Sequence, residues 1–211
     1  MSNMETYKIR VKLTFTEQLL GTASNDPDIH GSYIASLAPD AKSKKEEIEA
    51  VGIDDVIERG MTVFPRTPDK KPFIYDYQIK GFMKDTTAAL RKVKGSKASK
   101  IKAFKKEIDG LMFVEPRHIL LNMAGPMGEC QRPLRASTPQ GERIGLAHSE
   151  AAPAGTFIEF TINCLTPEMY DLAYECLDYG RLRGLGQWRN SGCGRFDWEE
   201  LPIEIEWEEQ P

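Results

Sequence analysis

Leu182-Arg183-Gly184-Leu185-Gly186-Gln187-Trp188-Arg189-Asn190-Ser191-Gly192-Cys193-Gly194-Arg195-Phe196 holds four glycines, three arginines and no acidic residue in one turn region. Glycine admits positive φ and lets a backbone come close to a ligand, while arginines and unpaired N–H groups supply positive charge and donors. This is the composition of a loop that holds phosphates. The alternative is a tight connection whose arginines face solvent. On the first reading the contacts come from Arg181, Arg183, Gly184, Gly186, Trp188, Arg189, Gly192, Gly194 and Arg195, with helix-terminal N–H groups adding donors.

The flanks of the loop are regular. Upstream, Ile158, Phe160, Ile162 and Cys164 alternate with other residues as in a half-buried strand. A helix then opens with Thr166 as N-cap and Pro167 in the first turn, carries the stripe Met169, Leu172, Ala173, Cys176, Leu177, and is expected to end at Gly180. Downstream, Phe196 to Trp207 alternates again, with Ile203, Ile205 and Trp207 against Glu204, Glu206 and Glu208. Strand, helix, glycine loop, strand is a βαβ half of a ferredoxin-like unit.

The amino-terminal half repeats that order loosely. Tyr7, Ile9, Val11, Leu13 and Phe15 alternate with Lys8, Arg10, Lys12 and Thr14, a strand that runs on to Leu19-Leu20-Gly21. A polar loop with Asp26, Asp28 and His30 follows, then a Lys/Glu-rich stretch compatible with a short helix, then an extended connector punctuated by Pro65, Pro68 and Pro72. Ile79, Phe82, Met83, Thr86, Leu90 and Val93 recur at helical spacing, with Lys80, Lys84, Arg91 and Lys92 outward; Ser96 or Ser99 is expected to start a further short helix. Leu111 to Met123 reads as a buried strand interrupted near Pro116, and Ala124 to Glu150 as a long loop or hairpin carrying Arg132, Arg135 and Arg143. The expectation is an α+β protein, ferredoxin-like (RRM-like) with elaborating loops. It forms a single domain over 1–211, with an amino-terminal half 1–123, a loop or hairpin 124–155 and a carboxy-terminal half 156–211.

Composition narrows the class. With 211 residues, 40% of them hydrophobic, the chain can bury a substantial core. It has no continuous apolar run of about 18 residues and no signal-peptide pattern, so a soluble, cytoplasmic protein without membrane partners is expected. Cys130, Cys164, Cys176 and Cys193 lack CxxC spacing and are expected to be reduced thiols, with neither metal nor cofactor implied. The net charge of -4 is segregated: Lys80 to Lys106 holds ten bases and one acid, Asp85, whereas seven acids and no base follow from Asp197 onward.

Four pieces, in order, resemble the RAMP superfamily, the RNA-binding proteins of CRISPR systems, and within it the backbone subunit of type III effector complexes. They are the first strand ending at Leu19-Leu20-Gly21, the stretch Pro72-Phe73-Ile74-Tyr75-Asp76-Tyr77-Gln78-Ile79-Lys80-Gly81 followed by Leu90-Arg91, the sequence Glu150 then Pro153-Ala154-Gly155-Thr156-Phe157, and the glycine-rich loop. In the second piece Asp76-Tyr77-Gln78 replaces the family's Gly-Ser pair, which would put a carboxylate and a ring beside the RNA path. Trp188 stands where small or basic residues are usual and could stack on a base.

The resemblance implies a RAMP fold and an RNA-binding subunit that works with other effector subunits or copies of itself. RNA contacts would come from the loop residues above together with Lys80, Lys84, Arg91, Lys92, Arg132, Arg135 and Arg143, and the long loop could form a hairpin that interrupts an RNA duplex or strand. Tyr75 and Tyr77 could stack on bases or fill core. An aspartate in the loop after the first strand takes part in target cleavage in such subunits, which nominates Asp26 or Asp28; a plain turn is the alternative. A metal-independent processing endoribonuclease using His30 is a second reading, and an inhibitor of a defence complex or sponge for a nucleotide messenger a third.

Overall fold

The computed structural model describes residues 6–24, 60–138 and 141–202, and within them all side chains except those of 134–138 and 141–146. His30, Asp26, Asp28, the Lys/Glu-rich stretch and Ile203 to Trp207 lie outside the described residues.

The elements, in chain order, are β1 (Tyr7–Phe15), β2 (Leu19–Leu20), β3 (Ala23–Ser24), β4 (Thr62–Val63), β5 (Phe73–Tyr75), α1 (Asp76–Leu90), α2 (Phe104–Leu111), β6 (Met112–Glu115), β7 (His118–Leu120), β8 (Gly128–Thr138), β9 (Gly141–Ala152), β10 (Phe157–Cys164), α3 (Pro167–Arg183) and β11 (Phe196–Leu201). The architecture is mixed α+β. Four antiparallel strands form the main sheet in the order β11-β1-β10-β6, with Leu13 paired to Ile158 on one side and to Trp198 on the other. Each of β1-α1-β6 and β10-α3-β11 therefore steps over one intervening strand, which sets α1 and α3 on the same face of the sheet.

Alternation in β1 drives this layering. Ile9, Val11, Leu13 and Phe15 are almost fully buried against the helices, beside Ile158, Phe160 and Ile162 of β10; complete burial of such a side chain contributes about 1.5–3 kcal/mol. The other face is polar and cross-linked: Lys12 pairs with Glu199 at 2.8 Å and Arg10 with Glu159 at 3.6 Å, and Asn163 donates to Glu115 at 3.1 Å.

Thr166 caps α3 by accepting from the Met169 N–H at 3.4 Å. Gly180 does not end the helix as its residue type suggested. It lies inside α3, where a Cβ would come within 2.3 Å of Phe196 and 2.6 Å of Phe82, so it lets α1, α3 and β11 close on one another. The helix ends at Arg183, and Gly184, at φ 76°, turns the chain out of it.

Three other expectations shift. Val93 leaves the apolar stripe of α1 and is exposed, because the helix stops at Leu90. After Ser96 the chain makes only a single 3-10 turn, Ala98–Lys100: Ser96 donates to the Leu90 carbonyl at 2.8 Å and accepts from the Ser99 N–H at 3.0 Å, and the α-helix α2 begins later, at Phe104. The run from Leu111 divides at Pro116 into strands of different sheets, β6 in the main sheet and β7 paired with β5. A second sheet joins β2, β9, β4 and β3, and β8 pairs along β9 as a long hairpin.

Candidate nucleic-acid interface

The loop from Gly184 to Arg195 is a closed, pinned turn. Its four glycines all take φ between 72° and 90°, and at two of them no other residue fits. A Cβ on Gly194 would stand 1.8 Å from the Leu185 carbonyl oxygen, and one on Gly184 would stand 2.8 Å from that of Cys193. Leu185 N–H donates to Gly194 O at 2.8 Å, Gly194 N–H to Gln18 O at 2.8 Å, and Gln187 Nε2 to Gly21 O at 2.8 Å. The loop is thereby moored to the segment around β2.

Its arginines divide into two sets. Arg183 Nε and Arg189 Nη1 both donate to Asp85 Oδ2 on α1, at 3.0 and 2.6 Å, and Arg183 Nη1 also reaches Asn190 Oδ1 at 3.0 Å. Partial burial pushes the Asp85 carboxyl up, but hydrogen bonds and charge from the two guanidinium groups outweigh it and hold it below its ordinary value. Arg181 and Arg195 are exposed, and neither forms an ion pair among the described residues. Arg132 of β8 joins the loop from behind: it is buried, with its guanidinium 4.0 Å from the centre of the Trp188 ring.

The outward ridge of α1 runs beside this loop. At 3.6 residues per turn, Tyr77, Gly81 and Ala88 share one stripe, and all three are exposed. Gly81 has nothing within 4 Å of where a Cβ would stand. Glycine inside a helix costs about 0.5–1 kcal/mol relative to alanine, and no neighbouring protein atom requires it here. On one flank of the ridge, a cleft of about 230 Å³ is lined by Leu19, Thr22, Gln78, Asp85, Gly186 and Arg189, among others. Gln78 Nε2 donates to Thr22 Oγ1 at 2.6 Å within it.

Lys80 and Lys84 stand on the opposite flank, turned toward α2. Lys80 donates to the Asp109 carbonyl at 3.1 Å and lies over the Phe113 ring, and Lys84 pairs with the Asp109 carboxylate at 2.5 Å. The ridge of α1 separates these lysines from the glycine loop. Arg91 covers the Phe104 ring at 5.2 Å, and Lys92 is exposed beyond the end of α1. Arg135 and Arg143 occupy the outer part of the β8–β9 hairpin, paired with Ile144 and Ala136 respectively, and their side chains lie outside the described set.

Some side chains at the site were not singled out from sequence. Asp85, the lone acid in a basic run, was the available signal for an anchoring carboxylate. At the amino end of α1, the rings of Tyr75 and Tyr77 stack 5.0 Å apart at 17°, and the Arg117 guanidinium lies over both, at 5.5 and 5.6 Å, while pairing with Asp76 at 2.7 Å. His118 adds a ring 5.5 Å from Tyr75. Tyr77 is 52% exposed, so this is a surface cluster rather than core. Only pairing across β5 and β7 brings Arg117 and His118 to it.

All four cysteines are free thiols, and burial pushes Cys164 up to about 12 and Cys176 up to about 11. Among the described residues there is no cluster of metal-ligating side chains, and no helix is long and apolar enough to cross a membrane.

No family model matches the chain, and no curated protein does. Among solved structures it is similar to a chain of the Type III-B Cmr-beta bound to cognate target RNA, seen by cryo-EM, with a TM-score of 0.52 and 13% identity over 95% of this chain and 60% of that one. The chain thus spans less than two thirds of that neighbour's length. It is also similar to Cmr6 from Pyrococcus furiosus, with a TM-score of 0.42 and 12% identity over 93% of this chain and 99% of that one. These neighbours are type III-B CRISPR RAMP subunits. At 13% identity the likeness to the first of them is one of fold.

Proposed function

We propose that the protein is a RAMP-like, RNA-binding subunit of a CRISPR ribonucleoprotein, of the backbone type, with other effector subunits or copies of itself as partners. The interleaved β-α-β order of the main sheet supports a ferredoxin-like unit, and the fold neighbour belongs to an assembly bound to target RNA.

The observation that carries this reading is the bare stripe at Gly81 between the tyrosines of the α1 amino end and the glycine loop. A sugar-phosphate backbone can approach a helix closely only where side chains are missing. Tyr75 and Tyr77 would then stack on bases at one end of that path, and Arg181 and Arg195 would attract phosphates near the loop. The far face of the sheet is a poorer competitor, since two of the three cations of β1 there, Arg10 and Lys12, are already matched by Glu159 and Glu199.

Such binding is backbone-directed and salt-sensitive. Fluorescence anisotropy with a labelled single-stranded RNA tests it: native protein binds with affinity that falls steeply with salt, and Gly81→Glu loses most of it while folding normally. Unchanged binding by Gly81→Glu removes α1 from the path.

A further inference from the structure

The cleft between α1 and the glycine loop is not built to receive a phosphate. Leu19, Leu20, Ile74, Phe82 and Leu185 line it, and each is at most 5% exposed. The charged groups on its walls are one carboxylate, Asp85, and one guanidinium, Arg189, already paired at 2.6 Å. An anion entering would lose water against hydrocarbon and meet the Asp85 carboxylate. A neutral group with apolar faces would meet neither penalty.

The polar groups of the cleft keep unused hydrogen-bonding capacity. Asp85 accepts both arginines on Oδ2, and its Oδ1 accepts no hydrogen bond among the described residues. Gln78 takes the Tyr75 N–H on Oε1 and gives one Nε2 hydrogen to Thr22 Oγ1, which leaves its second amide hydrogen over. Arg189 donates to Asp85 alone among the described residues, so its other N–H groups are available. An acceptor and donors therefore stand beside an apolar lining, the complement of a flat ring with a polar edge.

Size and rim narrow the occupant. About 230 Å³ lies below the roughly 300–1,000 Å³ of sites for drug-sized ligands, so the cleft suits one ring system rather than a whole nucleotide. Its wall toward the α1 ridge includes Gly81, with nothing within 4 Å of where a Cβ would stand. A group carried along the ridge can turn into the cleft there without crossing a side chain.

We propose that this cleft takes a single unstacked nucleobase, its faces against the leucines and Phe82 and its edge toward Asp85, Gln78 and Arg189, while the phosphates of the same strand stay outside on the ridge. This rests on the RNA-binding reading and adds which part of the strand enters the protein.

Saturation-transfer NMR with uridine, adenosine and ribose 5-phosphate tests the cleft on the native protein and on Thr22→Phe. That variant adds bulk at an exposed lining residue and leaves α1 untouched; Thr22→Leu takes its place if thermal melting shows the phenylalanine variant to be unfolded. Base protons of the nucleosides are expected to receive more saturation than ribose protons, ribose 5-phosphate to receive little, and the nucleoside signal to vanish in the variant. By anisotropy, labelled oligouridylate should bind Thr22→Phe roughly 10-fold more weakly than native protein, whereas an abasic ribose-phosphate chain of the same length should bind both equally. Saturation greatest on ribose, equal transfer to ribose 5-phosphate, or an unchanged nucleoside signal in the folded variant overturns the proposal. Oligouridylate binding at native affinity to Thr22→Phe, without a nucleoside signal, sinks the cleft and leaves the RNA reading intact. A nucleoside signal that Thr22→Phe removes, with no affinity for oligonucleotide, keeps the cleft as a base site and sinks the RNA reading.

Discussion

Asp85 accepts from Arg189 Nη1 at 2.6 Å, on the same Oδ2 atom that Arg183 reaches at 3.0 Å. One carboxylate on α1 therefore ties down the glycine loop where it leaves α3 and again at its far turn. The same contact neutralises part of the charge that the loop would offer to RNA, so anchoring and binding compete at this residue.

Asp85→Asn should separate those two effects. Losing two charge-assisted hydrogen bonds at a side chain that is 37% exposed should lower stability by about 1 kcal/mol after allowance for solvent screening. Affinity for single-stranded RNA at low salt should rise by roughly threefold or more, with a steeper salt dependence, as two guanidinium groups are released. Weaker RNA binding in a folded Asp85→Asn would mean that the loop's placement outweighs its charge.

The pH dependence of the same variant has a definite sign. Because the arginines hold the Asp85 carboxyl below its ordinary value of 3.8, its contribution to stability is complete above that pH and disappears as pH falls through the lower folded value. Urea melts of native protein and Asp85→Asn should thus differ by a constant amount from pH 7 down to about 4 and converge below it. A gap that closes at neutral pH would contradict the assignment.

Gly194→Ala should destabilise the protein by about 2–4 kcal/mol, since it combines positive φ with a Cβ 1.8 Å from the Leu185 carbonyl oxygen. Gly95→Ala is the comparison. It has φ 87° with nothing within 4 Å, and should cost only about 1 kcal/mol. Equal costs, measured by chemical denaturation, would show that the contact with Leu185 relaxes freely.

The contrast between these glycines shows where sequence was informative. Strands β1 and β10 and the opening of α3 were legible because alternation and the Thr166-Pro167 pair report local geometry directly. Gly180 and Gly184 were not separable by residue type, since what distinguishes them is the presence of Phe82 and Phe196 against one of them. Of the candidate site, the turn between α3 and β11 was readable, but not what its arginines touch. That Lys80 and Lys84 turn to Asp109 while Arg183 and Arg189 turn to Asp85 depends on the packing of α2 and α3 on either flank of α1, which no local pattern encodes.

Gly81→Ala addresses the ridge without adding bulk or charge. With open space around it and an ordinary helical backbone, alanine should raise stability by about 0.5–1 kcal/mol. Gly81→Leu should be similarly folded but bind RNA roughly tenfold more weakly, through steric exclusion alone. Native affinity in Gly81→Leu would place the RNA elsewhere.

The most direct measurement is photocrosslinking of the native protein to a single-stranded RNA carrying 4-thiouridine, with the attached peptides identified by mass spectrometry. RNA that follows the α1 ridge and the glycine loop attaches to Tyr75, Tyr77 and Trp188. Attachment instead to Phe113 or Phe157, away from the helix-loop cleft, would contradict the path.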